Sequence, residues 1–163
     1  MGARGSVIFT GSIGLANAEA VLRGLAGTVG SRDSRYPDGE TQERTMWCTW
    51  QGELFQKNPA FELGREVEMD FGGMHFAARP YLKIADEVEP GSIEFEPLGY
   101  AKAAIQSYTT FKCLRDEGIV PSDTRFQVAL PTPLAVLTGL VVVEDGAAVE
   151  PAYEAAMLSL IHI

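Results

Sequence analysis

Asp38 and Glu40 flank Gly39 in the run Tyr36-Pro37-Asp38-Gly39-Glu40-Thr41-Gln42-Glu43-Arg44. A corner of this kind, with two acids and a glycine, is where an α/β enzyme places a substrate-binding carboxylate. The run ends a short predicted strand and opens a predicted helix. Gly39 lets the chain turn without a Cβ clash, and Thr41 can cap the helix, whose first turn holds Gln42 and Glu43. A solvated turn with ordinary capping residues is the competing explanation. The functional one gains weight because two other predicted strands end similarly. Gly11-Ser12 follow the apolar run Val7-Ile8-Phe9-Thr10, and Pro131-Thr132-Pro133 follow Phe126-Gln127-Val128-Ala129-Leu130. In parallel α/β folds the C-terminal ends of the strands lie on one face, where ligands bind. The candidate substrate-binding residues are therefore Gly11, Ser12, Asp38, Glu40 and Thr132. No residue is singled out as catalytic.

The elements that must position these residues follow from periodicity. Leu15, Ala18, Leu22, Leu25 and Val29 recur at three- and four-residue spacing, so Asn17 to about Gly27 is predicted to be a helix capped by Asn17, with Glu19 in its first turn. From Thr41 to Lys57, the residues Met46, Trp47, Trp50, Leu54 and Phe55 make one apolar helix face, stopped by Asn58-Pro59; the tryptophans read as core. Residues 59–97 form an excursion with a turn at Gly72-Gly73. It carries two short strand-like runs, Tyr81 to Ile84 and Ile93 to Phe95, separated by Glu89-Pro90-Gly91. Hairpin-like insertions of this length often lie over an active-site mouth. A helix is predicted from Leu98 to about Glu117, stopped by Gly118, and another from Asp145 to Leu158, where Pro151 fits only a first turn. The fold class is α/β with about three βα units and a hairpin-like insertion.

Composition narrows the partners. The chain has 163 residues, 46% of them hydrophobic and 21% charged, enough for one core. A formal net charge of −9 without any basic cluster argues against nucleic acid or an anionic membrane as partner. Phe126 to Val143 carries no formal charge, but Pro131, Pro133, Gln127 and Gly139 divide it into a strand, a corner and a packed apolar piece rather than a membrane span. The start, residues 1–6, is too short and polar for a signal peptide, and two cysteines, Cys48 and Cys113, give no disulfide framework. A cytoplasmic location is expected. His75, His162, Cys48 and Cys113 show no metal-ligand spacing; His75 reads as a loop residue and the cysteines as packed on helices.

Gly11-Ser12 after the first predicted strand, Asp38-Gly39-Glu40 with Glu43-Arg44 after the second, and Pro131-Thr132 after the third together resemble the superfamily of cobalamin-independent methionine synthase and uroporphyrinogen decarboxylase. The methionine-synthase-like barrel proteins are the nearest likeness. The resemblance implies an incomplete (β/α)₈ TIM barrel, since a closed one takes eight units and about 250 residues. It implies that residues 1–163 are the N-terminal portion of one barrel domain. The native sequence is then expected to end near Leu158, with 159–163 a non-native tail resembling adapter read-through. In the family, the Gly-Ser loop meets the amino-acid part of homocysteine and the Gly-Glu loop supplies a carboxylate for its amino group, which assigns Ser12 and Glu40. Asp38 stands where methionine synthase has a histidine, and the Glu-Arg pair lies one residue further on, so the ligand need not be homocysteine.

The activity the resemblance implies is transfer of a methyl or other one-carbon group to a thiol in the intact parent. Zinc would activate the thiolate through ligands from later strands outside this chain, with a small thiol or amino acid as substrate. A metal-free decarboxylase-like relative and a non-catalytic binding or structural fragment are the alternatives. An open set of parallel strands lacks its opposite wall, so the remaining half of the barrel would be its partner.

Overall fold

The computed structural model describes residues 7–32, 34–46, 48–71 and 74–162. Trp47 and the Gly72-Gly73 turn, on which two sequence expectations rest, fall outside the described residues. The fold is mixed α/β. In chain order its elements are α1 (Ala18–Thr28), β1 (Arg35–Pro37), α2 (Gly52–Lys57), β2 (Phe61–Phe71), β3 (Met74–Ile84), α3 (Tyr100–Asp116), β4 (Arg125–Gln127), α4 (Pro133–Leu140) and α5 (Val143–Leu158), with short 3₁₀ turns between. They fall into two compact units: residues 1–46 with 99–130, and residues 47–98 with 131–163.

In the first unit β1 and β4 pair in parallel, with Tyr36 opposite Phe126 and Pro37 opposite Gln127. Helices α1 and α3 pack against each other, and Val21, Leu22, Leu25, Tyr36, Phe111, Leu114 and Val120 form the core beneath them. Helix α1 begins as its sequence predicts, because the Asn17 side chain accepts the Ala20 N–H at 2.9 Å. Helix α3 ends at Asp116, and Gly118, at φ +74°, turns the chain away in the left-handed conformation that glycine tolerates.

Three expectations are corrected here. Val7 to Thr10 is not a strand: Val7 and Ile8 are exposed, and the Phe9 carbonyl accepts a side-chain hydrogen bond from Gln127 at 3.0 Å instead of entering a ladder. The third predicted strand is cut to Arg125–Gln127, leaving Val128 and Leu130 exposed beyond it. Thr41 to Lys57 is not one helix, because Gln42 has φ +61°; two 3₁₀ turns, Gln42–Met46 and Thr49–Gln51, precede the six-residue α2. Met46 is consequently exposed, while Phe55 is buried as expected and Trp50 is half-buried.

In the second unit β2 and β3 form an antiparallel hairpin with register shifts between Leu63 and Glu66 and between Val67 and Met69. Of the two strand-like runs expected from the sequence only Tyr81 to Ile84 belongs to it, at the end of β3, and its partner β2 was not expected as a strand. Gly64 allows the close approach there, since a Cβ would stand 2.9 Å from the Tyr81 carbonyl oxygen. His75 lies on β3 rather than in a loop, and Ile93 to Phe95 forms no strand. Phe55, Phe61, Phe95 and Tyr153 pack with ring centroids 4.9 to 5.9 Å apart. The segment after Thr132 is helix α4, packed on α5, where the sequence indicated only an apolar piece. Helix α5 starts at Val143, so Pro151 lies well inside it and leaves the Ala147 carbonyl without its usual intrahelical donor. Among the described residues no helix is long and apolar enough to cross a membrane.

Candidate functional site

The parallel register of β1 and β4 sends both chains out at the same end of the pair. Residues 9–13 lie against that end. The Phe9 carbonyl is held by Gln127, at the end of β4, and the Ile13 N–H donates to the Gly39 carbonyl at 2.8 Å, just past β1. These two anchors carry Gly11 and Ser12 to the strand ends without a strand of their own. Gly11 has φ +84°, which lets the segment bend between its anchors.

Gly39 is held in a tight place. Its φ is +76°, and a Cβ would lie 2.9 Å from Val21 Cγ2 and 3.0 Å from Ile13 Cβ, so only glycine fits this corner. The chain then stays in the left-handed region at Glu40 (φ +47°) and again at Gln42. Asp38, Glu40 and Thr41 are all buried, and Glu40 is 8% exposed.

The two carboxylates have different partners. Asp38 Oδ1 accepts the Glu40 backbone N–H at 3.1 Å, and Oδ2 accepts from Arg44 Nη2 at 2.7 Å. Glu40 Oε2 accepts from the Ser12 hydroxyl at 3.0 Å, and the Thr45 hydroxyl donates to the Glu40 carbonyl at 3.3 Å. No cationic side chain among the described residues forms an ion pair with Glu40. The corner therefore combines one neutralised carboxylate with one that has a hydroxyl partner and no ion-pair partner among the described residues.

The structure thus brings together Ser12, Asp38 and Glu40 of the five candidates, with Gly11 in the same segment as Ser12. Thr132 belongs to the second unit, where its hydroxyl accepts the Ala135 N–H at 3.3 Å and caps α4, with Pro133 in the first turn. The sequence reading noted Arg44 only as part of a Glu-Arg pair. Its position six residues after Asp38, across a turn, was the available signal. Among the described residues no group of three or more His, Cys, Asp or Glu side chains is placed to hold a metal ion. Cys113 is exposed on α3 rather than packed, and its thiol donates to Glu117 Oε1 at 3.5 Å; that hydrogen bond, and then the carboxylate's charge, push the thiol pKa up. Cys48 is half-buried and precedes the second 3₁₀ turn. No family model, curated protein or solved structure matches this chain.

Proposed function

We propose that the Ser12–Glu40 corner receives the ammonium group of a small amino-acid or thiol substrate, as part of a methionine-synthase-like enzyme that transfers a methyl or one-carbon group to a thiol. The observation that carries this reading is the Glu40 carboxylate: buried, oriented by Ser12, and without a countercharge among the described residues. A buried carboxylate in that condition favours a bound cation, because the cation supplies the charge that solvent no longer does. On this reading β1 and β4, with α3 before β4, correspond to consecutive units of a (β/α)₈ barrel, and the corner belongs to its ligand-binding end. Methyl transfer itself rests on the sequence resemblance. Zinc, on the same resemblance, would be held by residues of later strands outside this chain.

The chemistry here is recognition. Glu40 accepts charge-assisted hydrogen bonds from the ammonium, and Ser12 fixes the carboxylate rotamer. Asp38 is consumed by Arg44 and by its own turn, which removes it from direct ligand contact. Titrating L-homocysteine into the wild-type protein and into Glu40→Gln by calorimetry tests the reading. A lost charge-assisted hydrogen bond is worth about 1.5 to 3 kcal/mol. Ser12→Ala should cost less. Unchanged affinity in a folded Glu40→Gln variant removes the proposed role.

A further inference from the structure

Glu40 and Gln42 both adopt positive φ without being glycine, a conformation that clashes with the Cβ of L-residues and persists only where neighbours enforce it. The enforcing contacts converge on Glu40. Its N–H is held by Asp38 Oδ1, its carbonyl by the Thr45 hydroxyl, and the preceding Gly39 carbonyl by the Ile13 N–H. The other oxygen of Asp38 is held by Arg44, with side chains 8% and 17% exposed respectively. One carboxylate therefore ties the start of the turn to its end, with the ligand-facing residue between them.

We infer that the Asp38–Arg44 pair is a positioning and charge-setting device for Glu40. It holds the left-handed backbone that aims the Glu40 carboxylate at Ser12. By neutralising Asp38 it also leaves the corner a single net negative charge, matched to one ammonium group. Without Arg44 the corner would carry two negative charges, and without Asp38 the Glu40 backbone would lose its N–H acceptor. This inference rests on the ammonium-site reading for its ligand, while the backbone geometry stands apart from it.

The test uses two probes, L-homocysteine and 4-mercaptobutyrate, which lacks the amino group; the ratio of their affinities measures what the ammonium contributes. Asp38→Ala should reduce that ratio on the order of tenfold, because small misplacements of a binding group are costly. Asp38→Asn keeps an acceptor for the Glu40 N–H but loses the ion pair, and should fall between Asp38→Ala and wild type. Arg44→Lys should rescue part of the ratio lost in Arg44→Met. Glu40→Gln should abolish the preference, and adding Asp38→Ala to it should cost nothing more. Merely structural side chains would lower stability without this dependence on Glu40. The inference is overturned if folded Asp38→Ala and Asp38→Asn keep the wild-type ratio, or if the Asp38 loss adds fully to that of Glu40→Gln. A crystal structure of Asp38→Asn should show the Ser12–Glu40 hydrogen bond lengthened or lost, and its retention counts against positioning. If the wild-type protein does not distinguish the two probes, the ammonium reading fails, and the crystal structure alone then decides the positioning role. Should Asp38→Ala fail to fold, Asp38→Asn and the Arg44 variants carry the same comparison.

Discussion

The two units each contain a short, charged cluster, and the contrast between them shows what burial does to the same chemistry. In the first unit Arg44 meets Asp38 at 2.7 Å with both side chains largely out of solvent. In the second, Lys83 meets Glu62 at 2.6 Å and Asp86 at 2.9 Å, with side chains 37%, 44% and 84% exposed. The distances are alike. The Lys83 pKa rises above the ordinary lysine range, mainly through hydrogen bonds to Glu62 and then Asp86, and that of Asp86 falls through its bond to Lys83. Those directions register contact, but solvent and salt screen exposed charges until little stability remains. At Asp38 the screening is weak, so the pair can dictate backbone conformation, and a neighbouring carboxylate is kept in place by it. Proximity of opposite charges is common to both clusters; the capacity to fix a strained turn belongs to the buried one.

The comparison breaks most readily at Arg44. Removing one member of a buried pair strands the other, which costs about 3 to 5 kcal/mol when fully buried. Arg44 keeps some solvent contact, so Arg44→Ala is expected to destabilise the protein by about 3 kcal/mol in urea denaturation. A loss as small as that of a surface pair would remove the distinction between the clusters. Next comes Gly39→Ala. The added Cβ meets Val21 and Ile13 at 2.9 and 3.0 Å, and φ is +76°, so strain and overpacking together should cost about 2 kcal/mol. A wild-type melting temperature for Gly39→Ala would show that the corner has room to relax.

Local chemistry was legible in the sequence, and pairing partners were not. Asn17 as a cap, Gly118 as a stop and the Asn58-Pro59 helix end are decided by neighbouring residues, and each stands where composition put it. The Ser12–Glu40 contact was anticipated only as two residues at strand ends; Gln127 and Gly39 bring them together across the chain. Val7 to Thr10 has a strand's composition, but β character is realised only against a partner, and Gln127 takes its carbonyl instead. The left-handed Gln42 defeated the helix reading of 41–57, since nothing in a Thr-Gln-Glu run signals positive φ. Pro151 went the other way: the helix runs through it, with the flanking turns of α5 outweighing the loss of one hydrogen bond.

Glu40 itself separates stability from recognition. Glu40 is buried and its carboxylate accepts from the hydroxyl of the exposed Ser12; glutamine keeps an acceptor for that hydroxyl while removing the charge. Glu40→Gln should therefore leave stability unchanged or raise it by up to about 1 kcal/mol, even as it lowers affinity for an ammonium ligand; such opposition is usual where a site holds a destabilised group. Denaturation and ligand titration on the same sample measure both. A clear loss of stability would make Glu40 part of the scaffold, and the corner would then resemble the Asp38–Arg44 pair rather than a binding site.

The smallest effect is expected at Lys83. Its folded pKa is raised, so whatever stability it contributes is complete below the unfolded lysine value near 10.4 and is lost as pH rises through the folded one. Asp86 has a lowered pKa, so its contribution is complete above the unfolded value near 3.9 and is lost as pH falls through the folded one. Between about pH 5 and 9 neither group changes charge in either state. Both are exposed, so Lys83→Met and Asp86→Asn should melt with the wild-type protein across that window, and the small differences that remain should vanish at high salt. A substantial, salt-resistant loss at Lys83 would mean that the hairpin cluster fixes structure as the buried pair does. Exposure would then no longer be what distinguishes the two regions, and the energetic argument for Arg44 would need another basis, such as the Glu40 backbone bond alone.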